Sequence, residues 1–119
     1  MPRTTCIAIV GSREWKDTKV IADFVRSLDR RRTTLVSGGA RGVDSVAYNA
    51  ALCEEIPIKV YPAEWGLHGR SAGMIRNQKI VDDCDVLVAF WNGSPGTRDS
   101  IQKAYKAGKP VIIIRERKK

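Results

Sequence analysis

Residues 34–54 read TLVSGGARGVDSVAYNAALCE. The first four, Thr34–Ser37, are a short run with apolar and β-branched side chains, the signature of a buried strand. The run stops at Gly38-Gly39. Asp44 then stands where an N-cap belongs, ahead of a helix to roughly Glu54 with Val46, Ala47, Ala50 and Ala51 on one face. A strand, a glycine turn and a helix in one short stretch form half of a βαβ unit, so the question is whether the rest of the chain repeats it.

It does. Upstream, Thr5–Val10 is a second apolar run ending at Gly11, and Asp17 can cap a helix with Val20, Ile21, Phe24, Val25 and Leu28 at helical spacing. Downstream, Ile58–Tyr61 reads as a strand stopped by Pro62, followed by a Gly-rich loop and a helix from about Ala72 to Asp82. Val86–Phe90 is almost wholly apolar. Thr97 or Asp99 opens a last helix that closes at Ala107-Gly108, and Val111–Ile114 is the fifth strand. Five strands alternating with four helices over short linkers predict one α/β domain across residues 1–119. The expected architecture is a Rossmann-like three-layer fold: a five-stranded parallel sheet, helices on both faces, strand order 3-2-1-4-5.

Composition narrows the classes. The chain has 119 residues, 43% hydrophobic and 29% charged, which is ordinary globular material rather than a disordered or fibrous chain. The longest apolar runs, Val86–Trp91 and Val111–Ile114, are too short to span a bilayer, and no leader pattern opens the chain, so a cytoplasmic protein is expected. Cys6, Cys53 and Cys84 are odd in number and widely spaced, and His68 is the single histidine; neither a disulfide framework nor a standard zinc cluster fits. No metal or other cofactor is therefore predicted. The net charge is +8, of which Arg115–Lys119, read as a basic tail, carries +3. That surplus suits a phosphate-bearing partner, nucleotide or nucleic acid, and equally a solubilising surface.

In an open α/β sheet, ligands bind beyond the carboxyl ends of the strands, where the strand order reverses. The segments after the strands are accordingly the place to look. They hold Gly11-Ser12-Arg13-Glu14-Trp15, then Ser37-Gly38-Gly39-Ala40-Arg41-Gly42 with Asp44. After the third strand come Glu64-Trp65, Gly69-Arg70 and Arg76-Asn77, and after the fourth Trp91, then Gly93-Ser94-Pro95-Gly96-Thr97-Arg98. All three tryptophans and eight of the ten glycines fall there, so chemistry collects on one edge of the sheet. Glycines let backbone N–H groups approach an anion, and helix starts add the positive end of a dipole. Ser12, Ser37, Ser94 and Thr97 supply hydroxyl donors, arginines supply forks for phosphate oxygens, and a Trp face can stack on a base. Together they describe a pocket for a phosphate attached to something aromatic.

Plainer readings stand beside these. Gly38-Gly39 with Gly42 can be a tight strand-to-helix turn; it has neither dinucleotide-fingerprint nor P-loop spacing. Each tryptophan can be a packing or subunit-contact residue, Asp44 an N-cap rather than a ribose contact, and Glu64 a solvated carboxylate. Lys103, Lys106 and Lys109 look like the solvated face of the last helix.

At these residues the sequence resembles the SLOG superfamily, most closely its small YspA-like branch. The matching segments are GSREW, GGARGVD, YPAEW, GR-x-AG-x-x-RN and AFW-x-G-S-x-GT, in that order across roughly residues 5–114. Two relatives within that superfamily imply different functions. DprA, a single-strand DNA-binding recombination mediator, is similar at Gly11–Arg13, Ser37–Asp44 and Arg76-Asn77. LOG-type phosphoribohydrolases, which release a base from a nucleoside monophosphate, are similar at Arg76; their catalytic glutamate falls on Ser100, with Asp99 immediately before it.

The expectation from residues and resemblance together is a domain that binds a nucleotide or nucleotide-derived ligand through its phosphate. Its binding residues are expected at Gly11, Ser12, Arg13, Trp15, Ser37–Gly42, Asp44, Arg70, Arg76, Asn77, Trp91, Gly93, Ser94, Gly96 and Thr97. Arg13, Arg41, Arg76 and Arg98 are expected to converge. The alternatives are an N-glycosidase using Arg76 with Asp99 or Glu64, and a DprA-like module for single-stranded DNA. Expected partners are a small nucleotide, weakly bound single-stranded nucleic acid and a further copy of the chain, with no membrane.

Overall fold

The computed structural model describes residues 4–39 and 42–116. Five strands, β1 (Thr5–Gly11), β2 (Thr33–Ser37), β3 (Ile58–Val60), β4 (Val86–Trp91) and β5 (Val111–Arg115), pair in parallel in the order β3-β2-β1-β4-β5. The helices are α1 (Thr18–Arg26), α2 (Val43–Cys53), α3 (Trp65–His68), α4 (Ala72–Asp83) and α5 (Pro95–Lys106). The fold is the Rossmann-like α/β architecture that the alternation predicts.

Strand side chains alternate between faces, and this divides the core in two. Ile9, Val88 and Phe90 face the layer of α1 and α2, where Ile21, Val25, Val43 and Ala47 complete one buried cluster. Ala8, Val10, Leu87 and Ala89 face the other layer, where Ile80 and Val81 of α4 and Ile101 and Ala104 of α5 complete the second. A parallel strand with both faces covered is apolar throughout, which is why β1 and β4 read as continuous runs. The chain winds outward from β1 to β3, then crosses to the other side and returns beside β1 as β4. The carboxyl ends of β1 and β4 therefore flank the point where the winding reverses, and the site is built there.

Local details differ from the sequence expectation. Asp44 is not the cap of α2: Gly42, at φ 79°, turns the chain in two residues earlier, so Asp44 sits in the helix's first turn. The Gly-rich loop after β3 contains α3 and a 3-10 turn, Gly69–Ser71. Helix α5 begins at Pro95, whose fixed φ and missing N–H suit a first helical position. Arg115 is not tail: it pairs in register with Trp91, while the Glu116 carboxylate accepts the N–H groups of Lys16 (2.6 Å) and Asp17 (3.0 Å). Residues 117–119 lie outside the described residues. Two of the three lysines assigned to a solvated face are engaged. Lys103 Nζ holds both Asp99 oxygens at 2.6 Å, and Lys109 Nζ donates to the carbonyls of Val81 (2.7 Å) and Asp82 (3.0 Å) at the end of α4.

Candidate functional site

The loops after β1, β2 and β4 enclose a cavity of about 450 Å³. Gly11 ends β1 and Ser12 follows it, Gly38 follows β2, and Asp44 comes from the first turn of α2. Arg76 and Asn77 enter from α4, and Ser94–Thr97 form the start of α5. Arg13 and Glu14 stand exposed at the mouth.

Arg76 is the best-fixed cation in this cavity. Its Nη1 donates to the Gly38 carbonyl (3.0 Å) and its Nε to Asn77 Oδ1 (2.9 Å). Asn77, 7% exposed, passes the constraint on: its Nδ2 donates to the Gly96 carbonyl (3.2 Å) and to Asp99 Oδ2 (3.1 Å). Burial lowers the affinity of the Arg76 guanidinium for its proton; Asp44 opposes that shift and Arg13 reinforces it. A guanidinium titrates so far above neutrality that Arg76 stays cationic, with its remaining N–H groups available to a ligand.

The hydroxyls form a chain. The Asn92 N–H donates to Ser12 Oγ (3.1 Å), Ser12 and Ser94 share a bond of 2.8 Å, and Ser94 Oγ donates to Thr97 Oγ1 (3.0 Å). Because Ser94 is occupied in this chain, α5 carries no side-chain cap. The first N–H groups of a helix have no partner within it, so those of Gly96 and Thr97 form an anion-favouring terminus on the cavity wall.

A second cavity, about 480 Å³, shares the wall formed by Arg13, Arg76, Asn77, Pro95 and Gly96. Arg70, Arg98 and Trp65 line its far side. The three tryptophans thus have different fates. Trp15 is 6% exposed, edge-on to Phe90 at 5.6 Å, with its indole N–H on the Asp17 carbonyl; it packs in the core and lines neither cavity. Trp91 ends β4, donates to the Ser94 carbonyl and lies under the guanidinium groups of Arg115 (5.0 Å) and Arg98 (5.7 Å). Trp65, 54% exposed, lines the second cavity, whereas the other two tryptophans line neither of these.

The remaining expected residues are distributed as follows. Ser37, Gly39, Gly42 and Gly93 shape the turns but line neither cavity. Ala40 and Arg41 lie outside the described residues, so the expected four-arginine convergence is described for Arg13, Arg76 and Arg98 only; of these, Arg98 lines the second cavity and not the first. Glu64, just before α3, pairs with Lys79 at 3.6 Å and lines neither cavity. Asp99 borders the second cavity, held by Lys103 and Asn77. Trp65 is the functional candidate absent from the expected binding set. Its signal was a large aromatic in a loop without hydrophobic period, a position that no core-facing pattern explains.

Among the described residues no helix is long and apolar enough to cross a membrane. A model of the DNA recombination-mediator protein A family matches residues 1–64. The Gene 61 protein of Mycobacterium phage D29 is 38% identical over 116 residues, covering 89% of this chain and 93% of that protein. Among solved structures, DNA processing protein A from Streptococcus pneumoniae superposes with a TM-score of 0.83 at 20% identity. That match covers 96% of this chain and 51% of the other, so this chain spans about half of it. The molybdenum cofactor binding protein from Rippkaea orientalis superposes at 0.79 with 25% identity, over 97% of this chain and 78% of that one.

Proposed function

This chain belongs to the DNA recombination-mediator protein A family, and we propose that it binds a nucleotide or nucleotide-derived ligand through its phosphate in the first cavity. The observation that carries this is the meeting, at one cavity, of the uncapped start of α5 with the fixed guanidinium of Arg76. The phosphate lies against the Gly96 and Thr97 amides and Arg76, with Arg13 closing from the mouth. Asp44 provides an acceptor for ribose hydroxyls. The likeness to a molybdenum cofactor binding protein supports small-ligand binding on this fold.

Calorimetry with a nucleoside 5′-monophosphate and the matching nucleoside tests this. The monophosphate should bind and the nucleoside should not. Arg76→Ala should weaken the monophosphate by about 1.5–3 kcal/mol, the range for a charge-assisted hydrogen bond. Unchanged affinity in the variant sinks the assignment.

A second reading, single-stranded nucleic acid, is favoured by the family's own description and by the arginines along the second cavity. It predicts a different salt response. A strand neutralised at several phosphates loses affinity with a log–log slope of about 0.7 per phosphate, whereas a mononucleotide pocket gives a shallow slope. We expect the shallow slope, with little gain from longer strands at physiological salt, and fluorescence titration over a salt series checks it. Glycosidic cleavage is the weakest reading. It needs a carboxylate at the reacting centre, and neither candidate from the sequence lines the first cavity: Asp99 is held by Lys103 and borders only the second, and Glu64 lines neither.

A further inference from the structure

The two edge strands of the sheet are built differently. At one edge, β3 is only three residues long, stands between Pro57 and Pro62, and carries Lys59 at its centre, bound to Asp83 at 3.1 Å. Short length, proline and a central lysine are devices that keep an edge strand from pairing with another chain. At the other edge, β5 runs five residues, Val111-Ile112-Ile113-Ile114-Arg115, in unbroken register with β4. No charged side chain stands in it before Arg115, whose guanidinium is drawn back over the Trp91 ring at 5.0 Å. Ile112 and Ile113 point to opposite faces of the sheet, yet both are exposed, at 50% and 37%. Among the described residues no strand pairs beyond them.

The direction of the backbone groups says what this edge can accept. The Pro110 carbonyl takes the Leu87 N–H at 3.0 Å, so the one proline near β5 faces β4 and leaves the outer rim unblocked. Backbone groups alternate along a paired strand; those of Ile112 and Ile114 therefore turn to β4, and those of Val111, Ile113 and Arg115 turn outward. That outward pattern is its own complement in the antiparallel direction. About a two-fold axis at Ile113, Ile113 exchanges both hydrogen bonds with its copy, and Val111 exchanges both with Arg115 of the other copy. The same register sets Ile112 against Ile114 on the face of α1, and Ile113 against Ile113 on the face of α5. We propose that β5 pairs antiparallel with β5 of a second copy of this chain, joining the two sheets into one. An unrelated strand would satisfy the backbone equally, but this chain itself supplies isoleucine opposite isoleucine on both faces, with its arginines at the margins. The carboxyl edge of each sheet stays open, so the pairing is independent of the phosphate site proposed above. One short edge makes a small interface, and the affinity belongs to the weak, micromolar class.

Sedimentation of the wild type from micromolar to millimolar concentration should show a monomer–dimer equilibrium. Ile113→Lys sets two ammonium groups together on the two-fold axis, and it should sediment as a monomer over the whole range with an unchanged circular dichroism spectrum. Cysteine pairing reads the register without adding charge, once the exposed Cys53 has been replaced by serine. In that background Ile113→Cys faces its own copy at a Cα separation of about 5.5 Å, within disulfide reach, and should link into a dimer under oxidised glutathione. Ile112→Cys lies two residues along and one strand across from its own copy, about 8 Å away, and should not link. A wild type that stays monomeric at millimolar concentration overturns the proposal. So does a dimer that persists in Ile113→Lys, or linkage at Ile112 as efficient as at Ile113, since either places the contact elsewhere. Assemblies larger than a dimer overturn it too, because β3 offers no second open edge. Where Ile113→Lys fails to fold, the two cysteine variants decide: linkage at Ile113 and not at Ile112 supports the pairing, and any other pattern overturns it.

Discussion

Arg76 owes its position to a side chain that is missing. A Cβ on Gly38 would lie 2.5 Å from Arg76 Nη1, the nitrogen that donates to the Gly38 carbonyl. The clash is with the far end of a flexible side chain, so Gly38→Ala should leave the fold intact and displace Arg76 instead. Nucleotide affinity should fall roughly tenfold, near 1.4 kcal/mol. Unfolding free energy should stay within about 1 kcal/mol of wild type, checked by urea titration beside calorimetry. Gly42 makes the contrast, because there a Cβ would meet the Arg13 backbone at 2.7 Å with φ already at 79°. At this scale sequence reasoning went part of the way. It placed Gly38, Arg76 and Asn77 at one edge of the sheet, since short strands deliver their following loops there. It could not tell Trp15 from Trp65, because both follow a strand and only the packing of Trp15 against Phe90 separates them.

Among elements, the end of β3 is tied to the end of α4. Tyr61 Oη donates to Asp83 Oδ2 at 2.8 Å, and Lys59 Nζ lies 3.1 Å from the same oxygen. The Tyr61 hydrogen bond, aided by the ammonium groups of Lys59 and Lys109 and opposed by partial burial, holds the Asp83 carboxyl below its ordinary range. A carboxylate depressed in the folded state stabilises the fold above its unfolded value, about 3.9, and that contribution is lost as pH falls through the lower folded value. Tyr61→Phe should therefore destabilise the protein at neutral pH, and its deficit against wild type should shrink in acid. Urea midpoints at both ends of that range check this; a deficit that does not shrink in acid would separate the bond from Asp83 ionisation. Nearby, the Cys6 thiol is pushed up to about 11, chiefly by burial and further by Asp83, Cys84 and Asp85, so it stays protonated. Element order was legible because β-branched runs alternate with helical periods. Helix α3 was not, since four residues cannot display a 3.6-residue period, and α2 is capped two residues before Asp44 because Gly42, with its positive φ, makes the turn.

Across the whole molecule, the fold positions the site by topology. Two helical layers cover the central strands of the sheet, leaving its carboxyl edge open where the winding reverses between β1 and β4. Glu116, beyond β5, reaches back to the loop before α1, so the last strand also steadies the segment that follows Arg13. Of the basic residues visible in the composition, Arg13, Arg70, Arg76 and Arg98 line one cavity, while Lys103 and Lys109 are held in structural contacts. Composition alone could not reveal that division, because it depends on which carboxylates fold beside which cations. The central claim is that phosphate is held between Arg76 and the start of α5. Its most direct measurement is a nitrogen-15 amide shift titration with deoxyadenosine 5′-monophosphate, repeated with deoxyadenosine. The largest shifts should fall at Ser12, Arg13, Gly38, Asn77, Gly96 and Thr97, and be absent with the nucleoside. Equal shifts with both compounds, or shifts centred on the outer faces of α1 and α2, would contradict it.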